Sequence, residues 1–232
     1  MLHLSKRLSV SASLVPEDAV LADVGTDHAF LPIFLCETGQ IDRAVAMDVA
    51  EGPLSRAREH IKEAGLRSKI EVRLSDGLTA LKPSEADTVS LLGMGGSLIM
   101  RILSDHDPRG LHIRTLLLGP QSEVPVLREF LLREGYRIET ERLVEEEGKF
   151  YFLLLVRTDS REERAYSAAE ILYGRTLLSQ KDPVLLTFLE RRKKTLEEIR
   201  KNLAASRSDV AKDRLAQLQA EQEIIKEIEY GQ

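Results

Sequence analysis

Short apolar strands that each stop at a glycine or an aspartate recur along the first two thirds of this chain. No other feature constrains the fold as tightly. Ala19–Val24 runs into Asp23-Val24-Gly25, Arg43–Val49 carries Asp48 near its end, and Ile70–Leu74 stops at Ser75-Asp76-Gly77. Thr88–Leu92 stops at Gly93-Met94-Gly95-Gly96, and Thr115–Leu118 stops at Gly119-Pro120-Gln121. Helical stretches lie between them: Ala29–Glu37, Pro53–Ala64 closed by Gly65, Leu98–Leu103, and Val124–Glu134 closed by Gly135. Strand and helix alternate five times, which predicts a parallel, doubly wound sheet. Tyr136–Leu143 and Lys149–Val156 then follow with no helix between them, joined through Glu145-Glu146-Glu147-Gly148, so this hairpin puts an antiparallel strand into the sheet. Residues 1–17 read as a preceding helix with the apolar stripe Leu2, Leu4, Leu8 and Val15, stopped by Pro16.

From about residue 160 the chain changes character, with charge throughout and no strand signal. Leu189, Leu196, Leu203 and Val210 recur at sevens, Leu186 and Ile199 fill in, and Leu215, Leu218, Ile225 and Ile228 continue the theme. Ser206-Arg207-Ser208-Asp209 offers a break with an N-cap. Two long helices folded as an antiparallel, coiled-coil-like hairpin are expected, giving a sheet domain over 1–158 and a helical domain over 159–232. The seam suits packing on itself, on the sheet domain or on a second chain.

Composition narrows the function. The formal net charge of −5 in 232 residues argues against a uniform basic coat for nucleic acid, though not against a local patch. Cys36 is the sole cysteine, so an internal disulfide and a cysteine-based zinc site are out, and no metal is expected. The longest apolar run, Phe150–Val156, is far shorter than the roughly 20 residues of a membrane helix. Met1–Val10, broken by Lys6 and Arg7, does not read as a signal peptide, and a reducing cytoplasm is the expected setting.

In open α/β sheets ligands bind at the carboxyl ends of the strands, near the switch point. The first end reads Asp23-Val24-Gly25-Thr26-Asp27-His28. A nicotinamide-type loop would place glycines where Asp27 and Phe30 stand, to make room for a pyrophosphate. Asp27 would repel that group, yet suits the cationic amino group or sulfonium of S-adenosylmethionine (SAM). Asp48 and Val49, 25 and 26 residues beyond Asp23, are placed for the ribose of a nucleoside cofactor. Ser75, Asp76 and Gly77 are placed for the adenine amine. Gly93 and Met94 complete the cofactor set, and the glycines of Gly93-Met94-Gly95-Gly96 suggest a bare, roomy floor for a flat base, with backbone groups as polar contacts. Each feature has a plainer reading, as a strand–turn–helix joint or a common Asp-Gly turn. Together they favour a nucleoside cofactor on a Rossmann-like sheet. Seven strands with one reversed near the end resemble class I methyltransferases, so SAM is the expected cofactor.

The run Leu21-Ala22-Asp23-Val24-Gly25-Thr26-Asp27-His28-Ala29-Phe30-Leu31-Pro32-Ile33 resembles the first motif of the bacterial tRNA (adenine(22)-N1)-methyltransferase family. Gly93-Met94-Gly95-Gly96 resembles the family's fourth-strand motif, Glu146–Tyr151 its late Glu-x-Gly-Lys-x-Tyr pattern, and the tail its coiled coil. Gly119-Pro120-Gln121 departs from a Gln-Pro-Asn-like segment, and Tyr173-Gly174-Arg175 from a Phe-Gly-Pro-like one. The first departure puts in doubt any base contact made by an asparagine there, for which Gln121 is a substitute. The resemblance implies methyl transfer from SAM to N1 of adenine 22 in tRNA. Asp27, Gly95 and Gly96 are then the candidate catalytic positions. Lys6, Arg7, Arg191, Arg192, Lys193, Lys194, Arg200 and Lys201 are candidate tRNA phosphate contacts, although such runs among glutamates also mark a plain solvated helix face. A monomer or weak dimer is expected. The alternatives are a small-molecule methyltransferase on the same fold and a non-catalytic partner protein with a degenerate SAM fold. A nicotinamide dehydrogenase is disfavoured by the missing glycines.

Overall fold

The computed structural model describes residues 2–203 and 209–230. The chain divides into two compact units, one ending at Arg164 and one starting at Ala165. The first is a seven-stranded sheet in the order β3-β2-β1-β4-β5-β7-β6. Its strands are β1 (Val20–Val24), β2 (Arg43–Asp48), β3 (Ile70–Leu74), β4 (Thr88–Met94), β5 (Thr115–Pro120), β6 (Arg137–Glu146) and β7 (Lys149–Arg157). β1 to β5 pair in parallel, and β7 runs antiparallel to both of its neighbours, β5 and β6. The expected single reversed strand is therefore present. β5 is buried along its whole length, as a parallel strand covered on both faces should be.

Five helices pack around the sheet: α1 (Lys6–Leu14), α2 (Phe30–Thr38), α3 (Glu51–Glu63), α4 (Gly96–Asp105) and α5 (Val124–Arg133). The alternation is not unbroken. Between β3 and β4 the chain turns through Ser75–Asp87 with no helix, anchored by buried Leu78, Leu81 and Ala86. Pro83 and the left-handed Ser84 (φ 63°) prevent a regular helix there. α1 is shorter than expected because Ser5 caps it, its hydroxyl accepting from Leu8 N–H. The β6–β7 hairpin turns on Glu147 and Gly148, both at positive φ (50° and 75°), which gives a two-residue primed turn and lengthens both strands.

Connections into the second unit stay with the sheet a few residues beyond the expected boundary. Thr158 donates its hydroxyl to Ile113 O, and Arg137 Nε donates to Ser160 Oγ at 2.9 Å. Every element among the second unit's described residues is a helix: α6 (Ala168–Tyr173), α7 (Arg175–Ser179), α8 (Pro183–Leu203) and α9 (Asp209–Tyr230). The two short helices were not anticipated. Ser167 starts α6 with a reciprocal capping box to Glu170, and Gly174 separates it from α7. α8 and α9 form the expected antiparallel pair, tied by Arg192–Glu221 and Lys193–Glu229 ion pairs at 2.6 and 2.8 Å. The expected break at Ser206-Arg207-Ser208 and the heptad position Val210 lie outside the described residues and side chains. Leu189, Leu196, Leu218 and Ile225 of the seam are buried within this chain, and Leu186, Leu203, Leu215 and Ile228 are half-buried. No helix among the described residues is long and apolar enough to cross a membrane.

Candidate active site at the switch point

β1 sends its connection towards β2 and β3, and the chain then returns to β4 on the other side of β1. The carboxyl ends of β1 and β4 therefore part, leaving the crevice in which open α/β sheets hold ligands. A cavity of about 540 Å³ occupies this place. Asp23, Gly25, Thr26, Asp27 and His28 line one side, Leu92, Gly93 and Gln121 another, and Ser5, Arg7 and Leu8 of the α1 region a third.

The β1 end is held tightly. Gly25 N–H and Thr26 N–H both donate to Met47 O, at 2.8 and 2.9 Å, which forces the chain to turn at once. Gly25 takes φ +77°, and a side chain there would collide with Met94 Cε, so the thioether of Met94 covers this glycine. Asp23 is buried and accepts from Ser90 Oγ at 2.6 Å. Burial pushes its carboxyl above the ordinary range, and the Ser90 hydroxyl opposes that. Asp27 is exposed; Arg56 grips it, Nε at 3.2 Å, and holds it below the ordinary range, with His28 Nε2 at 3.3 Å on its other oxygen. His28 stacks on Phe30 (centroids 4.9 Å apart, 12° between planes) and on His60 (5.1 Å), whose Nδ1 meets His28 O at 3.2 Å.

Among the described residues, three buried polar atoms of the side chains lining this cavity, Arg7 Nε, Thr26 Oγ1 and His28 Nδ1, have no hydrogen-bond partner. Thr26 Oγ1 lies near the Asp23 carboxyl without making a bond of normal geometry. Native interiors rarely leave such atoms unmatched, so three of them on one cavity's lining residues mark a place for a polar ligand. The lining carries both signs, with carboxyls at Asp23 and Asp27 and a guanidinium at Arg7, as a zwitterionic amino-acid group requires.

Other expected residues fall elsewhere. Asp48, Val49, Ser75, Asp76 and Gly77 stand at the neighbouring ends of β2 and β3, outside this cavity lining. Asp48 is half-buried and accepts from Ala50 N–H at 2.9 Å. Val49 and Leu74 are large apolar side chains left 67% and 57% exposed beside it, a surface suited to a flat ring. Ser75 uses its hydroxyl inside its own turn, donating to Gly77 O and accepting from Ala80 N–H.

Gly95 and Gly96 require a correction. They do not form a roomy floor: a side chain at Gly96 would stand 2.8 Å from Ser122 O, and one at Gly95 3.1 Å from Ser122 Oγ. These glycines let α4 start against the loop before α5. Of the three glycines expected to form that floor, Gly93 is the open one, exposed at φ +75°, where β4 breaks register with β5 between Leu92 and Met94.

The expected cations also sort themselves. Arg7 is not a solvated arm. Its guanidinium lies over the Tyr151 ring at 4.8 Å, and its backbone N–H donates to Glu146 at 3.3 Å, so α1 is fastened to the β6–β7 hairpin. Lys6 Nζ reaches Glu145 O at 3.1 Å. In the second unit Arg192 and Lys193 are committed to α9, and Lys201 pairs with Glu197 within α8. Arg191, Lys194 and Arg200 are exposed. Among the described residues, no group of three or more His, Cys, Asp or Glu side chains is arranged to hold a metal ion.

Sequence reasoning left out Ser90 and Arg56; it had Tyr151 only as the end of the Glu146–Tyr151 motif, and Lys6 and Arg7 only as phosphate contacts flanking the pocket. Ser90 had a signal, a hydroxyl in the middle of an otherwise apolar strand. Arg56 had none, because its partner Asp27 lies 29 residues away along the chain.

A sequence profile of the tRNA (adenine(22)-N(1))-methyltransferase family matches residues 21–229. The tRNA (adenine(22)-N(1))-methyltransferase of Bacillus subtilis (strain 168) is 33% identical, covering 98% of this chain and 97% of its own. The crystal structure of that B. subtilis enzyme superposes with a TM-score of 0.88 at 32% identity, covering 98% of this chain and 99% of the other. A Streptococcus pneumoniae protein in complex with S-adenosyl-L-methionine has a TM-score of 0.84 at 35% identity, over 97% of this chain and 99% of that one. M. capricolum TrmK, in complex with the cofactor product S-adenosyl-homocysteine, has a TM-score of 0.84 at 27% identity, over 97% and 98% of the two chains.

Proposed function

The chain belongs to the tRNA (adenine(22)-N(1))-methyltransferase family, and from that premise we propose that its switch-point cavity transfers a methyl group from SAM to N1 of adenine 22 in tRNA. The observation that carries this reading is the trio of unmatched buried polar atoms, Arg7 Nε, Thr26 Oγ1 and His28 Nδ1, around a cavity where β1 and β4 part. Asp23, Gly25, Thr26 and His28 hold the amino-acid end of the cofactor. Met94 packs over Gly25, while Asp48, Val49, Ser75, Asp76 and Gly77 present the strand ends to its nucleoside. The bound cofactor supplies a methyl group on a sulfonium, an electrophile ready for direct attack.

The remaining chemistry asks for placement more than proton transfer. N1 of neutral adenine has an in-plane lone pair. It forms the new N–C bond as the C–S bond breaks with its electrons to sulfur, and the positive charge passes to the base. No base has to remove a proton first. Asp27, held ionised by Arg56, is a poor proton acceptor and a good fixed negative charge. Its contribution is electrostatic, favouring a cationic group in the cavity. Alignment of nucleophile and methyl is worth about 7–11 kcal/mol in well-oriented systems. N1 is covered by pairing or stacking in folded RNA, so the adenine swings out to enter the cavity.

Lys6 on the sheet unit and Arg191, Lys194 and Arg200 on the helical unit are the proposed phosphate contacts. Arg192, Lys193 and Lys201 serve the helical unit's own structure, and Arg7 serves the cavity. With its seam buried within one chain, the protein acts as a monomer or weak dimer, in the cytoplasm where its substrate is found.

The test is methyl transfer from radiolabelled SAM to an unmodified tRNA transcript, beside a twin with guanine in place of adenine 22. Label on the first transcript alone is expected. Label on neither, with SAM binding intact, overturns the reading in favour of a small-molecule substrate or a non-catalytic role.

A further inference from the structure

Gly93 leaves a gap in the cavity wall, and two side chains converge above it. Gln121 Nε2 lies 3.6 Å and an Arg7 terminal nitrogen 4.0 Å from the point where a Gly93 side chain would begin. Gln121 is held there by its backbone, whose N–H donates to Met94 O at 2.8 Å and locks the start of the loop after β5 to the end of β4. It directly follows Pro120, the last residue of β5. Among the described residues its side-chain amide makes no hydrogen bond within the protein. Arg7, by contrast, is laid flat on Tyr151.

Transfer to N1 limits how the adenine can be recognised. A side chain bonded to the Watson–Crick edge would occupy the very lone pair that must attack. The other polar edge carries N6–H as donor and N7 as acceptor, and leaves N1 bare. A carboxamide presents an acceptor and a donor at the matching spacing, which is why glutamine and asparagine pair bidentately with adenine N6 and N7. Guanine shows two acceptors on that edge, O6 and N7, and a carboxamide cannot donate to both in that geometry.

We propose that Gln121 reads N6 and N7 of the acceptor adenine from above Gly93, and is the residue that selects adenine in this reaction. Gly93 leaves room for the base to approach, and the Met94 carbonyl fixes where the amide stands. The proposal rests on methyl transfer to N1 of a tRNA adenine. It adds the edge by which that adenine is held and the side chain that holds it.

Single-turnover methylation tests it, using full-length enzyme and tRNA assembled from two pieces with adenosine or 7-deazaadenosine at position 22. The 7-deaza ring lacks the N7 acceptor. For the wild type it is expected to lower kcat/KM roughly 10-fold, one bond of a bidentate pair. Gln121→Met lowers kcat/KM on adenosine by roughly 10- to 100-fold, and the 7-deaza ring then costs it nothing more. Comparing the two enzymes cancels any effect of the ring change on N1 itself. Gln121→Glu is the second variant: its carboxylate still accepts from N6 but repels N7, so it prefers 7-deazaadenosine to adenosine, the reverse of the wild type. SAM binding by both variants checks that they fold. If the 7-deaza penalty is as large in Gln121→Met as in the wild type, N7 is read by another group, Arg7 being the nearest, and the proposal falls. If the wild type does not label the adenosine tRNA at all, the reaction itself is wrongly assigned.

Discussion

A buried carboxyl group at the end of a central strand needs a reason to be there. Asp23 gains a short bond from Ser90 and faces a cavity whose other polar atoms wait for partners. Two residues on, Gly25 sets how closely anything approaches that wall. An alanine at φ +77° costs about 1–2 kcal/mol in backbone conformation. The two bonds to Met47 O prevent the turn from relaxing. The new methyl also displaces the end of Met94, a flexible group that moves at little cost, at the edge of the space proposed for the cofactor. Gly25→Ala is therefore expected to lower stability by about 1–2 kcal/mol in thermal unfolding. Its larger effect is on SAM affinity, weakened 10-fold or more by calorimetry. An unchanged affinity would show that the cofactor does not approach this glycine. The Asp23-Val24-Gly25 turn was legible because strand ends announce themselves in sequence. Ser90 and Arg56 were not assigned, since they meet Asp23 and Asp27 across 67 and 29 residues of chain. Gly95 and Gly96 were misread for a related reason. Glycine signals closeness without saying whether a ligand or the protein's own backbone comes close.

At the scale of elements, the sheet was readable from strand spacing, and its helixless crossover was the exception. The chain from β3 back to β4 holds its path through an ion pair instead of a helix. Arg73 on β3 donates to Glu85 near the end of that crossover through both terminal nitrogens, each at 2.8 Å. The Arg73 guanidinium pulls the Glu85 carboxyl from its ordinary 4.5 down to about 2. A carboxyl with a depressed folded pKa stabilises the fold above its unfolded pKa, and that stability is lost as pH falls through the folded value. The pair therefore contributes fully above about pH 4.5 and fades between there and about pH 2. Glu85→Gln should be less stable than the wild type at pH 7, and the two should converge as the pH falls through that window. Urea unfolding at a series of pH values reads this directly. A constant difference across the window would mean that the charge on Glu85 is not what stabilises the crossover. No sequence pattern pointed to this pair, because the side chains sit twelve positions apart in a stretch that reads only as turns.

For the whole molecule the open question is what the charged tail does in a protein of net charge −5. Its basic run reads either as phosphate contacts or as a plain solvated face, and its seam suits packing on itself, on the sheet domain or on a second chain. The structure divides both. Buried Leu196 and Ile225 close the seam within one chain, and Arg192 and Lys193 spend their charge on Glu221 and Glu229. The cations that project outward, Lys194 and Arg200 among them, are those able to meet RNA. Each phosphate contact steepens the fall of log affinity with log salt by about 0.7 to 0.9. Lys194→Ala with Arg200→Ala should weaken tRNA binding and flatten that slope by somewhat under two, while SAM affinity stays unchanged. Arg192→Ala should behave differently, lowering the unfolding temperature by loosening α8 from α9 and leaving the salt slope of the folded protein as it was. Filter binding across a salt series separates the two kinds of cation. A slope unchanged in the double variant would remove the tail from the RNA interface and leave recognition to the sheet unit, where Lys6 stands near the cavity.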